Sequence, residues 1–111
     1  MTFFGFLLLS GVAAAAEPPV VPNARLTEPV PWLRYFPAEA RRAQVEGRVQ
    51  VDCTVVEGGR LRDCTVVSET PEGYGFGENT IKALELHGRV NPDSLKPGQR
   101  VRQPILWRIE E

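Results

Sequence analysis

The stretch VDCTVVEGGRLRDCTV, residues 51–66, decides the fold, because it holds two β-strand patterns on either side of a Gly-Gly pair. It also contains both cysteines of the chain. On the upstream side, apolar side chains occupy every second position, namely Val49, Val51, Cys53 and Val55. Period-two alternation is typical of a strand with one buried face. The pattern therefore predicts that Cys53 points into a core.

The apolar residues of the strand after the turn do not all fall on alternate positions. Leu61 is odd-numbered, whereas Cys64 and Val66 are even-numbered. Strict alternation along this strand would therefore bury Leu61 or the two later residues, but never all three. A change of register within the hairpin is needed.

Two hairpin geometries bring these apolar residues together. In the first, a three-residue loop at 57–59 ends in a glycine at positive φ, and a β-bulge at residues 62–63 restores the parity. In the second, a tight turn at 58–59 needs no bulge. Both geometries set Cys53 opposite Cys64.

Opposed residues of a hairpin have Cβ atoms about 4.5–5.5 Å apart, close enough to relax into a disulfide. We therefore predict a Cys53–Cys64 disulfide; the alternative is a pair of reduced thiols packed as small apolar groups. A zinc site needs three or four ligands, and His87 is the single histidine. A redox site of the C-x-x-C type needs a closer spacing. No metal site is predicted.

The N-terminal region predicts export. Residues 1–16 resemble a secretory signal peptide, because the apolar run at residues 3–16 ends in small residues. This run is shorter than the roughly 20 residues that span a bilayer. We expect cleavage near Ala16. Residues 17–32 contain five of the ten prolines and predict an extended linker.

The composition narrows the possible functions. The chain has 111 residues, 13 basic against 14 acidic side chains and a net charge of −1, so one small domain without a basic nucleic-acid or membrane surface is expected. The sequence contains no convincing Ser-His-Asp arrangement and no phosphate loop. We predict no catalytic residues, no cofactor and no small-molecule substrate.

Three further elements complete the pattern. Helices are predicted at about residues 37–44 and 77–87, from the proline, acidic, basic and glycine residues at their ends. Residues 100–109 alternate as a last strand. Because Pro104 has no N–H, this strand is expected at a sheet edge or on a bulge.

The element order predicts an α+β fold. A right-handed crossover would place the last strand beside the first, giving a three-stranded antiparallel sheet in the order 2-1-3. Both helices would then cover one face. The last strand would be a free edge.

Three motifs carry a resemblance to a known family. They are Tyr-x-Pro-x-x-Ala at residues 35–40, Glu-Gly-Arg-Val at 46–49 and Gly-Arg-Leu at 59–61. With VRQPILWRI at 101–109, they resemble the C-terminal domain of TonB, over about residues 33–110. The domain assigned on this basis is 33–111. The paired cysteines and the GYGFG segment are similar to an exported subgroup.

The resemblance implies a function. In that family the domain binds a short extended segment of outer-membrane transporters as an added strand, and it transmits energy from an inner-membrane complex. We therefore expect a periplasmic module, linked to energy-coupled transport, whose partner is such a segment or another envelope protein. The implied partner-binding edge comprises Arg100, Val101, Arg102, Gln103, Leu106 and Arg108. The alternative is a structural role, in which the same edge forms a homodimer without energy transduction.

Overall fold

The computed structural model describes residues 19–109, so the predicted signal peptide lies outside the described residues. The elements are β1 (Val20–Val21), α1 (Trp32–Tyr35), α2 (Ala38–Ala43), β2 (Gly47–Val55), a 3₁₀ turn (Glu57–Gly59), β3 (Leu61–Thr70), α3 (Phe76–His87) and β4 (Arg100–Trp107). The strands form one sheet in the order β1-β4-β2-β3. Across residues 19–109, none of the helices combines the length and apolar character needed to cross a bilayer.

The fold is α+β, but the prediction of a three-stranded, wholly antiparallel sheet is wrong. β2 pairs antiparallel with both β3 and β4, while β1 adds a fourth strand that runs parallel to β4. β1 consists of only two residues between prolines, which is too short to show any periodicity. Its partner lies 80 positions away, since Val20 pairs with Arg100.

The predicted helices correspond to α2 and α3, and α1 is an additional helix. α1 is a single turn that begins directly after Pro31, and the Arg34 N–H donates to the Pro31 carbonyl at 3.1 Å. A proline before the first turn fits this position, because its missing N–H would have no intrahelical acceptor. Four residues are too few to display the 3.6-residue period on which sequence interpretation relies.

The hairpin adopts the first of the two predicted geometries. The turn occupies Glu57–Gly59, and the extra residue is Asp63, at a φ of +54°. The bulge interrupts the β2–β3 register next to the cysteines, and a second irregularity lies between Gln50 and Val51. Val66 pairs with Val51 as predicted, but its side chain is not buried: the residue is 40% exposed. Cys53 and Cys64 form the predicted disulfide.

Gly59 has two reasons to be a glycine. Its φ is +78°, in the left-handed region, and its carbonyl accepts the Val90 N–H at 2.8 Å. A Cβ at this position would lie 2.1 Å from the Val90 carbonyl oxygen. The hairpin turn is therefore joined directly to the loop after α3.

The core lies between one face of the sheet and the helices. Its largest fully buried side chains come from β2, β3, α3, β4 and the loop after α3: Val49, Val51, Val55, Leu61, Phe76, Leu84, Val90 and Val101. Trp107 closes one end, with its ring edge-on to Trp32 and Phe36 at centroid distances of 5.3 and 5.6 Å. Such edge-to-face contacts stabilise the fold beyond the free energy gained by burying the rings.

Trp107 and Thr80 form a buried polar chain within this core. The indole Nε1–H donates to the Thr80 Oγ1 at 2.8 Å, and that hydroxyl donates to the Phe76 carbonyl at 2.7 Å. Thr80 is fully buried, so the indole has no access to water as an alternative acceptor. Thr80 thereby satisfies the one polar group of Trp107.

Thr80→Val should lower the free energy of unfolding by about 1–3 kcal/mol, because it leaves the buried indole N–H without an acceptor. Urea denaturation at neutral pH, followed by tryptophan fluorescence, measures the change. Thr80→Ser is the matched control, since it keeps the hydroxyl and loses only a methyl group. Equal stability of the two variants would contradict this role of the hydroxyl.

A double variant with alanine at positions 53 and 64 should lose about 3 kcal/mol of unfolding free energy. This is the chain-entropy value for a loop whose bridged residues are 11 positions apart. Denaturation with and without reductant provides the measurement. Reductant should lower the stability of the natural chain and leave the double variant unchanged; a natural chain that is insensitive to reductant would refute the expectation.

Candidate functional site

The outer edge of β4 is the candidate interaction site, and two hydrogen bonds define which backbone groups it presents. The Val55 N–H donates to the Gln99 carbonyl on the side of β2, at 2.8 Å. The Ala24 N–H donates to the Arg102 carbonyl on the opposite side, at 3.2 Å. Backbone groups of successive strand residues alternate between the two edges. The backbone N–H and C=O groups of odd-numbered β4 residues therefore point toward β2, and those of even-numbered residues point to the outer edge.

This alternation explains the position of Pro104. As an even-numbered residue, it would point its N–H away from β2, so the missing donor costs the β2–β4 ladder nothing. The donor is missing from the outer edge instead. Pro104 consequently divides that edge into a first half, residues 100–103, and a second half, residues 104–108.

The first half is occupied within the chain. β1 pairs with Arg100 and Val101, and Ala24 continues along the edge to Arg102. In a parallel ladder the Ala24 carbonyl would next accept the N–H of residue 104, which proline lacks. The buried side-chain amide of Gln103 donates to that carbonyl instead.

Four of the six predicted contact residues are therefore engaged internally. Val101 is fully buried, and the Gln103 side-chain amide donates to the Ala24 carbonyl. Arg100 reaches across the open face of the sheet, where its guanidinium donates to the hydroxyls of Thr54 and Thr65 and to the carbonyls of Asp52 and Asp63. Arg102 forms a bidentate pair with Asp52, at 2.7 and 2.9 Å. The expectation that residues 100–108 form one continuous free edge does not hold over 100–103.

The second half is open. By the alternation along β4, the Pro104 carbonyl, both backbone groups of Leu106 and the Arg108 N–H point outward. Between residues 19 and 109, no strand pairs with this part of the edge. The Leu106 side chain is 51% exposed. Leu106 and Arg108 are the predicted contact residues that remain available.

Two grooves flank the open half, one on each side of the sheet. The edge groove, about 360 Å³, lies between β4 and α1 and is lined by Trp32, Leu33, Phe36, Pro104, Ile105, Leu106, Trp107 and Arg108. The face groove, about 420 Å³, lies on the open face and is lined by Arg48, Val49, Gln50, Ser68, Thr70, Pro104, Ile105 and Leu106. The two grooves share Pro104, Ile105 and Leu106 of β4.

The wall of the edge groove is held in place by α3 and α2. The Asn79 side-chain amide donates to the Tyr35 carbonyl at 2.6 Å, and the Tyr35 hydroxyl shares a 2.9 Å hydrogen bond with His87 Nε2. Arg41 donates to the Leu33 carbonyl at 3.1 Å. Leu33 is 69% exposed although α1 is fixed on both sides. The sequence interpretation missed this wall because it began the first helix at about residue 37 and assigned no structure to the turn before it; the aromatic and apolar run WLRYF after Pro31 was the available signal.

Three guanidinium groups border the open half. Arg48 lines the face groove, and Arg108 lines the edge groove. Arg41 lies 5.4 Å from the centroid of the Phe36 ring, in a cation–π contact beside the same wall. The nearby Glu46 carboxylate accepts the Ile109 N–H at 3.0 Å. The surroundings therefore favour a negatively charged partner.

The Asp52–Arg102 pair is a polar feature of the open face. The hydrogen bond from Arg102 is the main reason that the pKa of the Asp52 carboxyl is lowered; partial burial opposes it, and the charges of Arg102 and Arg100 add to it. The same bond raises the pKa of Arg102. Within the described residues there is no cluster of three or more His, Cys, Asp or Glu side chains able to hold a metal ion.

The Asp52→Asn variant should be less stable than the natural chain at neutral pH, and the difference should shrink in acid. Because the pKa of Asp52 is lower in the folded state, its contribution is complete above the unfolded value of about 3.9 and is lost as pH falls through the folded value. Urea denaturation between pH 3 and pH 7 measures this. Arg102→Gln should show the same trend, and a difference independent of pH would contradict it.

Comparisons with known proteins agree with this architecture. A family model described as the Gram-negative bacterial TonB protein C-terminal matches residues 33–110. The solution NMR structure of the Pseudomonas aeruginosa TonB C-terminal domain is similar, with a TM-score of 0.55 and 22% sequence identity, covering 78% of this chain and 84% of that chain. A search of curated proteins gives no match. By its family-model match, the chain belongs to the family of TonB C-terminal domains.

Proposed function

We propose that the chain is a periplasmic protein-binding module that captures an extended segment of an outer-membrane partner, of the TonB-dependent transporter type. The segment would add as a strand to the open half of the β4 edge, at residues 104–108. Membership of the TonB C-terminal family supports a role in envelope energy transduction or protein interaction. The site consists of backbone groups, a mainly apolar edge groove and a face groove of mixed polarity, which is chemistry suited to binding an extended segment.

The observation that carries this proposal is the pair of grooves on either side of one unpaired strand edge. Successive side chains of an added strand point to opposite faces of the sheet. One side chain would enter the edge groove beside Leu33, and the next would enter the face groove beside Gln50. Main-chain hydrogen bonds would supply affinity, and the two grooves would supply specificity.

The edge formed by β3, at the opposite side of the sheet, is less suited to strand addition than the open half of β4. β3 changes register twice along its length, and Asp63 sits in one of these irregularities. The Cys64 N–H, in the same region, donates to the Glu85 carboxylate at 3.1 Å. Bulges and side-chain caps are devices that protect an edge from pairing. The second half of β4 has neither.

The structural alternative, a homodimer through the same edge, is less favourable. An antiparallel pair of β4 strands centred on Leu106 would set Pro104 of each copy opposite Arg108 of the other. Pro104 has no N–H to give, so the Arg108 carbonyl of each copy would be left without a donor. A partner of different sequence can place its own residues so that no carbonyl lies opposite Pro104, whereas a second copy in this register cannot.

Leu106→Pro is the sharpest variant for testing the proposal. It removes an outward N–H and no hydrogen bond of the β2–β4 ladder. Leu106→Ala is the matched control, because it keeps that N–H and loses only the side chain beyond Cβ. Val101→Pro is unsuitable, since its N–H faces β2 and its loss would disrupt the sheet itself.

The assay uses residues 17–111, which include every described residue, to capture outer-membrane transporters from envelope extract. The periplasmic segments of captured transporters are then titrated as synthetic peptides. We expect Leu106→Pro to weaken peptide binding at least tenfold, about 1.4 kcal/mol, and Leu106→Ala to weaken it less. Equal affinity of the natural chain and Leu106→Pro would overturn the proposal. A natural chain that captures no transporter and dimerises, with Leu106→Pro monomeric, would establish the structural alternative.

A further inference from the structure

Residues 19–27, which we call the strap, lie along the first half of the β4 edge and are attached at three points. The first is the β1 pairing with β4. The second is Ala24, whose N–H donates to the Arg102 carbonyl and whose own carbonyl accepts from Gln103. The third is Thr27, whose N–H and hydroxyl both donate to the Arg89 carbonyl, at 2.8 and 3.3 Å.

The strap is less buried than the sheet it covers, although Val21 and Leu26 pack partly against the core. Ala24 is its one buried residue, while five of its nine residues are exposed. Its path turns at Asn23, which has a φ of +52°. β2, by contrast, has a hydrogen-bonded strand on each side, and six of its nine residues are buried. Local opening favours segments with few buried apolar contacts and exposed hydrogen bonds.

The strap also has a natural end point. Glu28 and Pro29 are exposed, and Val30, the next residue, is buried against the domain. An opening that frees residues 19–27 can therefore hinge at residues 28–29 and leave α1 in place. The edge groove would keep its wall during such a motion.

We infer that the strap opens independently of the sheet and that, when closed, it confines a strand-adding partner to the open half of the β4 edge. The second part rests on the proposed function, and the first part does not. Release of the strap would expose the outward backbone groups of Arg100 and Arg102. A partner segment would then be able to pair on both sides of Pro104.

Gln103 has a defined part in this device. Its side-chain amide supplies the donor that Pro104 lacks, and the strap carbonyl of Ala24 receives it. Once the strap leaves, the same amide is available to a partner carbonyl at the same position. Gln103 is thus a positioning residue that serves whichever strand occupies the first half of the edge.

Native-state hydrogen exchange of ¹⁵N-labelled residues 17–111 tests the independent opening without any partner. The amides of Ala24 and Thr27 should be at least 100-fold less protected than those of Val49 and Val51, and low denaturant should not change their exchange. Strap amides that match β2 in both protection and denaturant dependence would overturn the inference.

Gln103→Leu tests the attachment from the β4 side, because it removes the amide donor and leaves a side chain of similar size. We expect the protection of the Ala24 amide to fall about tenfold with β2 unchanged, a shift of about 1.4 kcal/mol in the opening equilibrium. Arg25→Ala, at an exposed strap position, is the control and should change neither the protection of the Ala24 amide nor that of the β2 amides. A parallel loss of protection in β2 would show that strap and sheet open as one unit.

Ala24→Pro tests the confinement, since it removes the N–H that donates to Arg102. With a transporter peptide bound, amide shifts should be limited to residues 105–108 in the natural chain and extend to Arg100 and Arg102 in the variant. Shifts that spread equally in both proteins would refute the confinement. If no peptide binds, the proposed function fails, while the exchange experiment still decides the opening.

Discussion

The alternation of backbone groups along β4 is the constraint on which the candidate interaction site depends. Odd-numbered residues hold β4 against β2, and even-numbered residues present their groups to whatever lies outside. Pro104 is tolerated because it falls on an even position. The same proline then interrupts the outer edge, so a residue that costs the sheet nothing separates an occupied stretch from an open one.

The hairpin and the edge are connected through the open face of the sheet. The Asp63 bulge allows the disulfide to form, and Arg100, which comes from β4 and reaches across β2, donates to the Asp63 carbonyl at 2.8 Å. Glu85 caps the neighbouring Cys64 N–H from α3. Arg100, which the family resemblance assigned to the partner-binding edge, therefore stabilises the irregular part of β3. Arg102 is likewise committed to Asp52.

The outer edge of β4 is thus divided into an occupied half and an open half. Its first half belongs to the chain's own N-terminal segment, and its second half is flanked by grooves suited to an incoming strand. Competition between an internal and an external strand for one edge needs no large rearrangement, because both use the same donors and acceptors. In the proposed binding mode, Pro104 would mark the boundary between the two strands.

The sequence by itself determined the features that local patterns encode: period-two alternation placed Cys53 in the core, the parity conflict after Gly59 required a bulge or a tight turn, and the end signals located α2 and α3. It also carried the family resemblance. Only the tertiary structure decided the fate of the edge. β1 has two residues and α1 has four, too few for any period, and β1 pairs with a strand 80 positions away. Whether Arg100, Arg102 and Gln103 meet a partner or the chain itself depends on that distant pairing, which no local pattern reports.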